Sequence, residues 1–354
     1  MIIGGGYGTG RELVEFFMRD GPAAGLKGMA VAMVVWSVVL ALSFELARAG
    51  RLYDYRSFVS SLLGRAWIAY EVVYLIGLIL VVSVLGSAAG TIASEMTGLP
   101  EIVGNVAVIG LVGVLAFYGS SLIERVMSVW SFALYAVFAL VVIRSLDVFG
   151  PAIADALSQN APAGADAAGG AGAGTWLMSG AEYAAYNVGL VPAMLFVTRH
   201  LETRREALTS GVLAGFLAMA PGALIYVAML GQYPQVLAEP VPSDFLLAAL
   251  GSPVLRLVFQ VILFGTFIET GIGLVHGFNE RLSAVLSERG RELSGKLRMV
   301  VAAGMLTIAI FLADAVGLVE IIASGYGTLT WGYWLVFVIP VLTLGSWRVF
   351  RTKA

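Results

Sequence analysis

The 354 residues are 59% hydrophobic and only 12% charged, with a mean hydropathy of +0.90 and a formal net charge of -2. Soluble domains carry roughly 25% charged residues, so the composition excludes a soluble fold and specifies a chain that crosses a membrane repeatedly. Cysteine is absent and histidine stands only at His200 and His276, which removes disulfides, thiolate sites and a His-rich metal centre from consideration.

Ten hydrophobic segments of spanning length, about 20 residues each, follow along the chain. The first, residues 1–19, is interrupted: Gly4, Gly5, Gly6, Gly8 and Gly10 crowd its start around Tyr7 and Thr9. Each glycine costs about 1 kcal/mol against alanine in a helix, so this cluster predicts a break. It lacks a basic n-region, and no cleavable signal peptide is expected. The second span covers 26–46, and a connector with Arg48, Arg51, Arg56 and Arg65 leads into the third, 67–94. Pro100 opens the fourth, which ends near Tyr118, and Glu124-Arg125 precedes a fifth ending near Arg144. Residues 150–175 hold Gly, Ala, Pro and two Asp without a Lys or Arg, and such a segment reads as a flexible external loop.

The sixth span, 176–198, carries Tyr183, Tyr186, Asn187, Gly189 and Pro192 at its centre and is the second interrupted one. The seventh runs to about Leu230 with Pro221 inside it. The polar, proline-containing stretch 232–252 does not span, although 245–250 fits a short interfacial helix. The eighth span covers 255–278 and is followed by a connector with Arg281, Arg289, Arg291, Lys296 and Arg298. The ninth ends near Asp314, a short apolar helix occupies 318–322, and the tenth covers 331–347.

Assigning the connectors alternately to two sides places about sixteen of the 21 Lys and Arg on one side and four on the other. The positive-inside rule then puts both termini in the cytoplasm and the 150–175 loop outside, in an inner-membrane, multi-pass protein. The division into halves is equally regular. Residues 1–149 and 176–354 each hold five spans beginning with an interrupted one, and an odd number inverts the second half. Inverted repeats with broken helices at matching positions are the arrangement of secondary transporters.

Several residues could carry chemistry. The backbone of residues 4–10 would offer carbonyls to a cation and N–H groups, at the start of the following helix, to an anion such as a carboxylate; the competing reading is close helix packing. The cluster has no Gly-Lys-Ser/Thr for a phosphate loop, and Thr9 stands where a dinucleotide fingerprint needs its third glycine. Glu269 lies near the middle of the eighth span, where an ionised group costs at least about 2.5 kcal/mol. It reads as a coupling carboxylate with Thr266 and Thr270 beside it, or as a structural residue paired to Arg11. His276 reads as a packed polar residue. Tyr183, Tyr186 and Asn187 offer hydroxyl and amide groups at the second break, against ordinary aromatic packing. Ser83 and Ser87, one turn apart near the midplane of the third span, could add hydroxyls or bond their own helix. Arg11, Glu12 and Glu15 form a candidate external gate, and solvated vestibule residues would look the same.

The segment Ile3-Gly-Gly-Gly-Tyr-Gly-Thr-Gly-Arg-Glu-Leu-Val-Glu-Phe-Phe17 resembles the YkvI-type membrane proteins. So do Tyr186-Asn187, Phe264-Gly-Thr-Phe-Ile-Glu-Thr-Gly-Ile-Gly273 and Gly317-Leu-Val-Glu-Ile-Ile-Ala-Ser-Gly-Tyr-Gly327. These are distant relatives of the amino acid-polyamine-cation and sodium:neurotransmitter symporter families. The resemblance implies an all-α integral membrane protein with a LeuT-like fold of ten transmembrane helices in a 5+5 inverted repeat. It also implies a substrate and coupling ion held among spans one, three, six and eight. The sequence departs from the pattern in two places. Relatives carry about ten further residues ahead of the glycine cluster, so either the start lies upstream of Met1 or the chain is shortened, and the amino-terminal half of span one is missing as written. Arg11 stands where many relatives have a neutral polar residue, which argues against sodium beside it and favours a proton.

The function expected is therefore secondary transport of a small amino-acid-like or amine-bearing solute, coupled to a proton or sodium ion. No cofactor, no metal site and no nucleic-acid partner is expected, and the surroundings are the lipid bilayer. A receptor or scaffold that binds without moving its ligand is the alternative. An ion channel is a further one, because Ser324-Gly-Tyr-Gly327 resembles a potassium-filter loop. An enzyme is not expected, since no Ser/His pair or carboxylate dyad sits at catalytic spacing.

Overall fold

The computed structural model describes residues 5–118, 121–159, 174–288 and 294–351. Among these the secondary structure is helical, with no strand. In chain order the helices are α1 (Gly5–Gly8), α2 (Arg11–Phe16), α3 (Pro22–Gly50), α4 (Tyr55–Leu63), α5 (Trp67–Thr97), α6 (Glu101–Tyr118) and α7 (Ser121–Gln159). There follow α8 (Thr175–Val188), α9 (Arg204–Met229), α10 (Pro242–Ala249), α11 (Pro253–Glu288), α12 (Gly295–Val316) and α13 (Leu318–Arg351).

Seven continuous helical stretches are long and apolar enough to cross a membrane, and Glu101–Ala116 is a shorter apolar helix. The predicted first and sixth spans are the shorter, interrupted ones. The first is α1 and α2 with a three-residue 3-10 turn, and the sixth is α8 continued by the 3-10 stretch Val191–His200. The expected interfacial helix is α10.

Two boundaries differ from the sequence reading. The loop expected from residue 150 does not start there, because α7 continues to Gln159 through Pro151. Ala152, Ala154, Ala156 and Leu157 are strong helix formers that extend an established helix despite Asp155; residues 160–173 lie outside the described residues. The predicted gap between 322 and 331 is absent. Glycines 325 and 327 lie inside α13, whose turns widen to the π pattern at Ile321–Tyr326, Trp334–Val338 and Val341–Gly345. Pro340, which has no N–H to donate, sits between the last two of these. Ser324-Gly-Tyr-Gly327 is thus helical, with Ser324 Oγ donating to Glu320 Oε1. A filter loop needs carbonyls turned inward from non-helical backbone, and this stretch does not supply them.

The chain divides into two compact units. The first comprises residues 1–15, 78–157 and 224–325. Its core packs α11 on α6, where a Cβ at Gly271 would lie 2.7 Å from Val112, and on α7, where Gly265 faces the Trp130 ring. Trp130 Nε1 donates to the Ile262 carbonyl at 3.0 Å, and Phe138 stacks on Phe259 at 5.5 Å. The second unit comprises residues 16–77, 158–223 and 326–354. There α3 and α8 meet through Gly28 and Gly180, and a Cβ on Gly180 would stand 2.3 Å from the Gly28 carbonyl oxygen. Lipid tails give helices no hydrophobic reason to associate, so small residues that admit close backbone contact supply it.

Candidate functional site

The first break is real and sits at Gly10, whose φ of 78° only glycine adopts without strain. The chain closes a turn there, Gly10 N–H donating to Tyr7 O at 3.2 Å, and resumes as α2, where Val14 N–H donates to Gly10 O. The position is also crowded: a Cβ on Gly10 would lie 2.7 Å from Met229 Sδ, and one on Gly8 would lie 2.4 Å from Leu263 Cδ1 of α11. Packing and interruption therefore coexist in this cluster. Gly4 lies outside the described residues, and Gly5 and Gly6 are described only as helical backbone.

Three of the carbonyls expected to face a cation, those of Tyr7, Thr9 and Gly10, accept hydrogen bonds from the protein itself. Besides Tyr7 and Gly10, the Thr9 carbonyl accepts from Ser243 N–H at 2.9 Å, and the Thr9 hydroxyl oxygen accepts from Arg11 N–H at 3.4 Å. The following helix is six residues long, too short for the strong N-terminal dipole imagined from sequence.

Arg11, 1% exposed, makes three side-chain hydrogen bonds. Its Nη1 donates to the carbonyls of Leu237 and Glu239, both at 3.0 Å, and its Nη2 donates to Glu15 Oε2 at 2.8 Å. The predicted Arg11–Glu15 pairing is present, whereas the alternative pairing with Glu269 is not. Sequence reasoning missed the two carbonyls, because a loop 226 residues away leaves no local signal. Glu12 is buried beside this clamp at 3% exposure.

On α11, Glu269 is half-buried and Thr270 is buried. Thr266 Oγ1 donates to the Ile262 carbonyl at 3.0 Å, so its hydroxyl proton is committed to its own helix. His276 is exposed rather than packed. On α5, Ser83 likewise donates to Ile79 O at 2.8 Å. Ser87 Oγ is buried and has no hydrogen-bond partner among the described residues. Of the two hydroxyls, Ser87 is the one whose chemistry is uncommitted.

The second unit holds the other predicted group. Span six breaks after Val188, and side chains converge on carbonyls of its last turns and on that of Gly189. Asn187 Nδ2 donates to Tyr183 O, Trp36 Nε1 to Ala184 O, and the Tyr70 hydroxyl to Gly189 O, at 3.0, 3.0 and 2.9 Å. Asn187 was expected to face a solute, and its amide instead closes the last turn of α8. Around it lies an aromatic cluster. Phe16 meets Tyr183 edge-on at 5.3 Å and stacks on Tyr186 at 6.2 Å, while Tyr186 stacks on Tyr326 at 4.5 Å. Phe17 and Trp36 flank Tyr183 at 4.8 and 5.7 Å. Phe16 and Trp36 were not singled out from sequence, and Tyr326 was noticed only within Gly-Tyr-Gly, as part of a filter-like loop that this helix does not form.

A second polar cluster went unnoticed. Asp244, 5% exposed at its side chain, accepts from Arg256 Nε at 2.9 Å, from Arg256 Nη2 and from Gln260 Nε2 at 2.7 Å. Glu95 lies 3.7 Å from the same Arg256 Nη2. The four residues come from α5, α10 and α11, all of the first unit, and their spacing in sequence gives no hint of it. Among the described residues, no three His, Asp or Glu side chains converge as a metal site.

No family model matches the chain. It is similar to the uncharacterized membrane protein YkvI of Bacillus subtilis (strain 168), 24% identical over 331 residues, covering 92% of this chain and 88% of that protein. Its fold is similar to crystal structures of three mutants of the manganese transporter of Eremococcus coleocola. Each matches with a TM-score of 0.57 at 14% identity, over 96% of this chain and 77% of that one. At that identity the likeness concerns the fold and not the cargo. The resemblance drawn from the glycine cluster extends along nearly the whole sequence: the chain is similar to a YkvI membrane protein over 92% of its length, and its fold is similar to that of a solved membrane transporter.

Proposed function

We propose that the protein is a secondary transporter of a small amino-acid-like or amine-bearing solute, working by alternating access and driven by a proton or a sodium ion. The observation that carries the reading is the interruption at Gly10 inside an apolar helical segment, with Thr9, Arg11 and Glu12 buried around it. Irregular backbone and buried charge at membrane depth are kept where they serve a binding site or a pathway. The second interruption, with Tyr186 and Asn187, supports ten spans in two inverted sets of five. Both termini then face the cytoplasm of an inner-membrane protein.

In this reading the glycine cluster, Tyr183, Tyr186 and Ser87 recognise the solute, and Glu269 with Thr270 takes the coupling ion. Arg11 and Glu15 are the outer gate in its closed form. Reconstitution of the purified chain in vesicles tests it. Uptake or exchange of a labelled amino acid or amine should depend on a proton or sodium gradient, and Glu269→Gln should abolish the dependence on the driving ion. Unchanged coupling in that variant would remove Glu269 from the mechanism. Ligand-dependent thermal stabilisation without flux would favour a receptor, and flux of Mn²⁺ in place of organic solutes would transfer the reading to metal transport.

A further inference from the structure

At the ends of α6, α11 and α12 that border the basic connector lies a half-open cavity of about 280 Å³. Its wall is apolar, built from Gly113, Val114, Met299 and Leu306 among others, and two polar residues interrupt it, Asn279 and Arg298. Asn279 is ten residues beyond Glu269 along α11, about 15 Å at 1.5 Å per residue, so this is not the solute site described above. All the lining residues belong to the first unit.

Three features define an occupant. Val114 and Met299 are 54% and 48% exposed, so the wall opens toward the surroundings of an apolar helix, which in a membrane protein are acyl chains. Asn279 is 5% exposed, lines the cavity, and its Oδ1 has no hydrogen-bond partner among the described residues. A buried acceptor of that kind calls for a donor from a ligand. Arg298 lies in the first turn of α12, where Ser294 caps the helix and the backbone N–H groups add positive potential. Lys296 and Arg298 themselves make this end strongly basic, and the charge bias assigns it to the cytoplasmic leaflet. A ligand with an apolar tail, an anionic group and a hydroxyl donor satisfies all three.

We propose that the cavity is a binding site for one anionic phospholipid of the phosphatidylglycerol class. Arg298 takes the phosphate, Asn279 Oδ1 accepts from a headgroup hydroxyl, and the acyl chains lie along the Gly113–Val114–Leu306 wall. Basic pockets between helices on this side of a membrane are suited to such headgroups.

The full chain, purified and relipidated, tests this by native mass spectrometry with phosphatidylglycerol and phosphatidylcholine of matched acyl chains. One phosphatidylglycerol should be retained at least tenfold more than phosphatidylcholine, and Arg298→Gln and Asn279→Leu should each remove that preference. Lys296→Gln, an exposed change outside the cavity, should leave it. Equal retention of the two lipids by the unmodified chain, or a preference unaltered in Arg298→Gln, would overturn the proposal. So would competition by glycerophosphoglycerol, which has the headgroup without acyl chains, at concentrations equal to the lipid's; the site would then take a free phosphate ester. Arg298→Gln changes a half-buried rim residue, so the test stands even where Asn279→Leu fails to fold.

Discussion

Replacing Arg11 with methionine isolates the clamp between α2 and the segment before α10. The guanidinium makes three charge-assisted hydrogen bonds, to Leu237 O, Glu239 O and Glu15 Oε2. At about 1.5–3 kcal/mol for each bond to a charged group, a simple sum would exceed what one side chain contributes. Desolvating the cation offsets part of it, and Arg11 Nε, buried without a partner among the described residues, offsets more. The comparison that applies is removal of one member of a buried pair, about 3–5 kcal/mol, because Glu15 is left with its side chain only 10% exposed. Arg11→Met should therefore destabilise the protein by about 3–5 kcal/mol. Adding Glu15→Leu should recover about 1–3 kcal/mol, the range expected for directly contacting residues. Equilibrium unfolding in mixed detergents, followed by tryptophan fluorescence, reads both numbers. A single-variant loss below about 1 kcal/mol, or strict additivity in the double variant, would show that the clamp does not hold the first unit together.

Four other outcomes are expected. Gly180→Ala should cost about 1–3 kcal/mol, because its new Cβ would meet the Gly28 carbonyl oxygen at 2.3 Å and no rotamer relieves backbone contact. Gly304→Ala, in α12 with nothing within 4 Å, should gain about 0.5–1 kcal/mol in the same unfolding measurement. Gly10→Ala should lose at least about 1–2 kcal/mol from its positive φ alone, and Met229→Ala in that background should relieve the added contact at Met229 Sδ. Asp244→Asn should lose about 1–3 kcal/mol, the lower part of the range reflecting an Arg256 side chain that is 35% exposed; a value near zero would make that cluster a surface feature.

What the sequence revealed and what it withheld have a common cause. The breaks at Gly10 and after Val188 were legible because crowded glycines and a Gly-Leu-Val-Pro run act on their own backbone. The seven helical stretches long and apolar enough to span were legible because hydropathy is a sum over neighbours. The Arg11 carbonyl partners, the Asp244–Arg256–Gln260 cluster and the Phe16–Tyr186–Tyr326 stack join residues 12 to more than 200 positions apart, and no local pattern encodes them. The partner of the Thr9 carbonyl was hidden for a related reason. Counting glycines showed where helical bonds stop, and could not show that Ser243 N–H, from a distant loop, would occupy the Thr9 carbonyl.

An interrupted helix is ordinarily a place where a chain frays. At the end of α8, however, side-chain donors from α8 itself, from α3 through Trp36 and from α5 through Tyr70 hold the carbonyls of Tyr183, Ala184 and Gly189. The corner is therefore a joint with three anchors. Any rearrangement of this end must carry Trp36 and Tyr70 along or break their bonds first. In the second unit, flexibility is better sought in the 3-10 stretch that follows than at the gap itself.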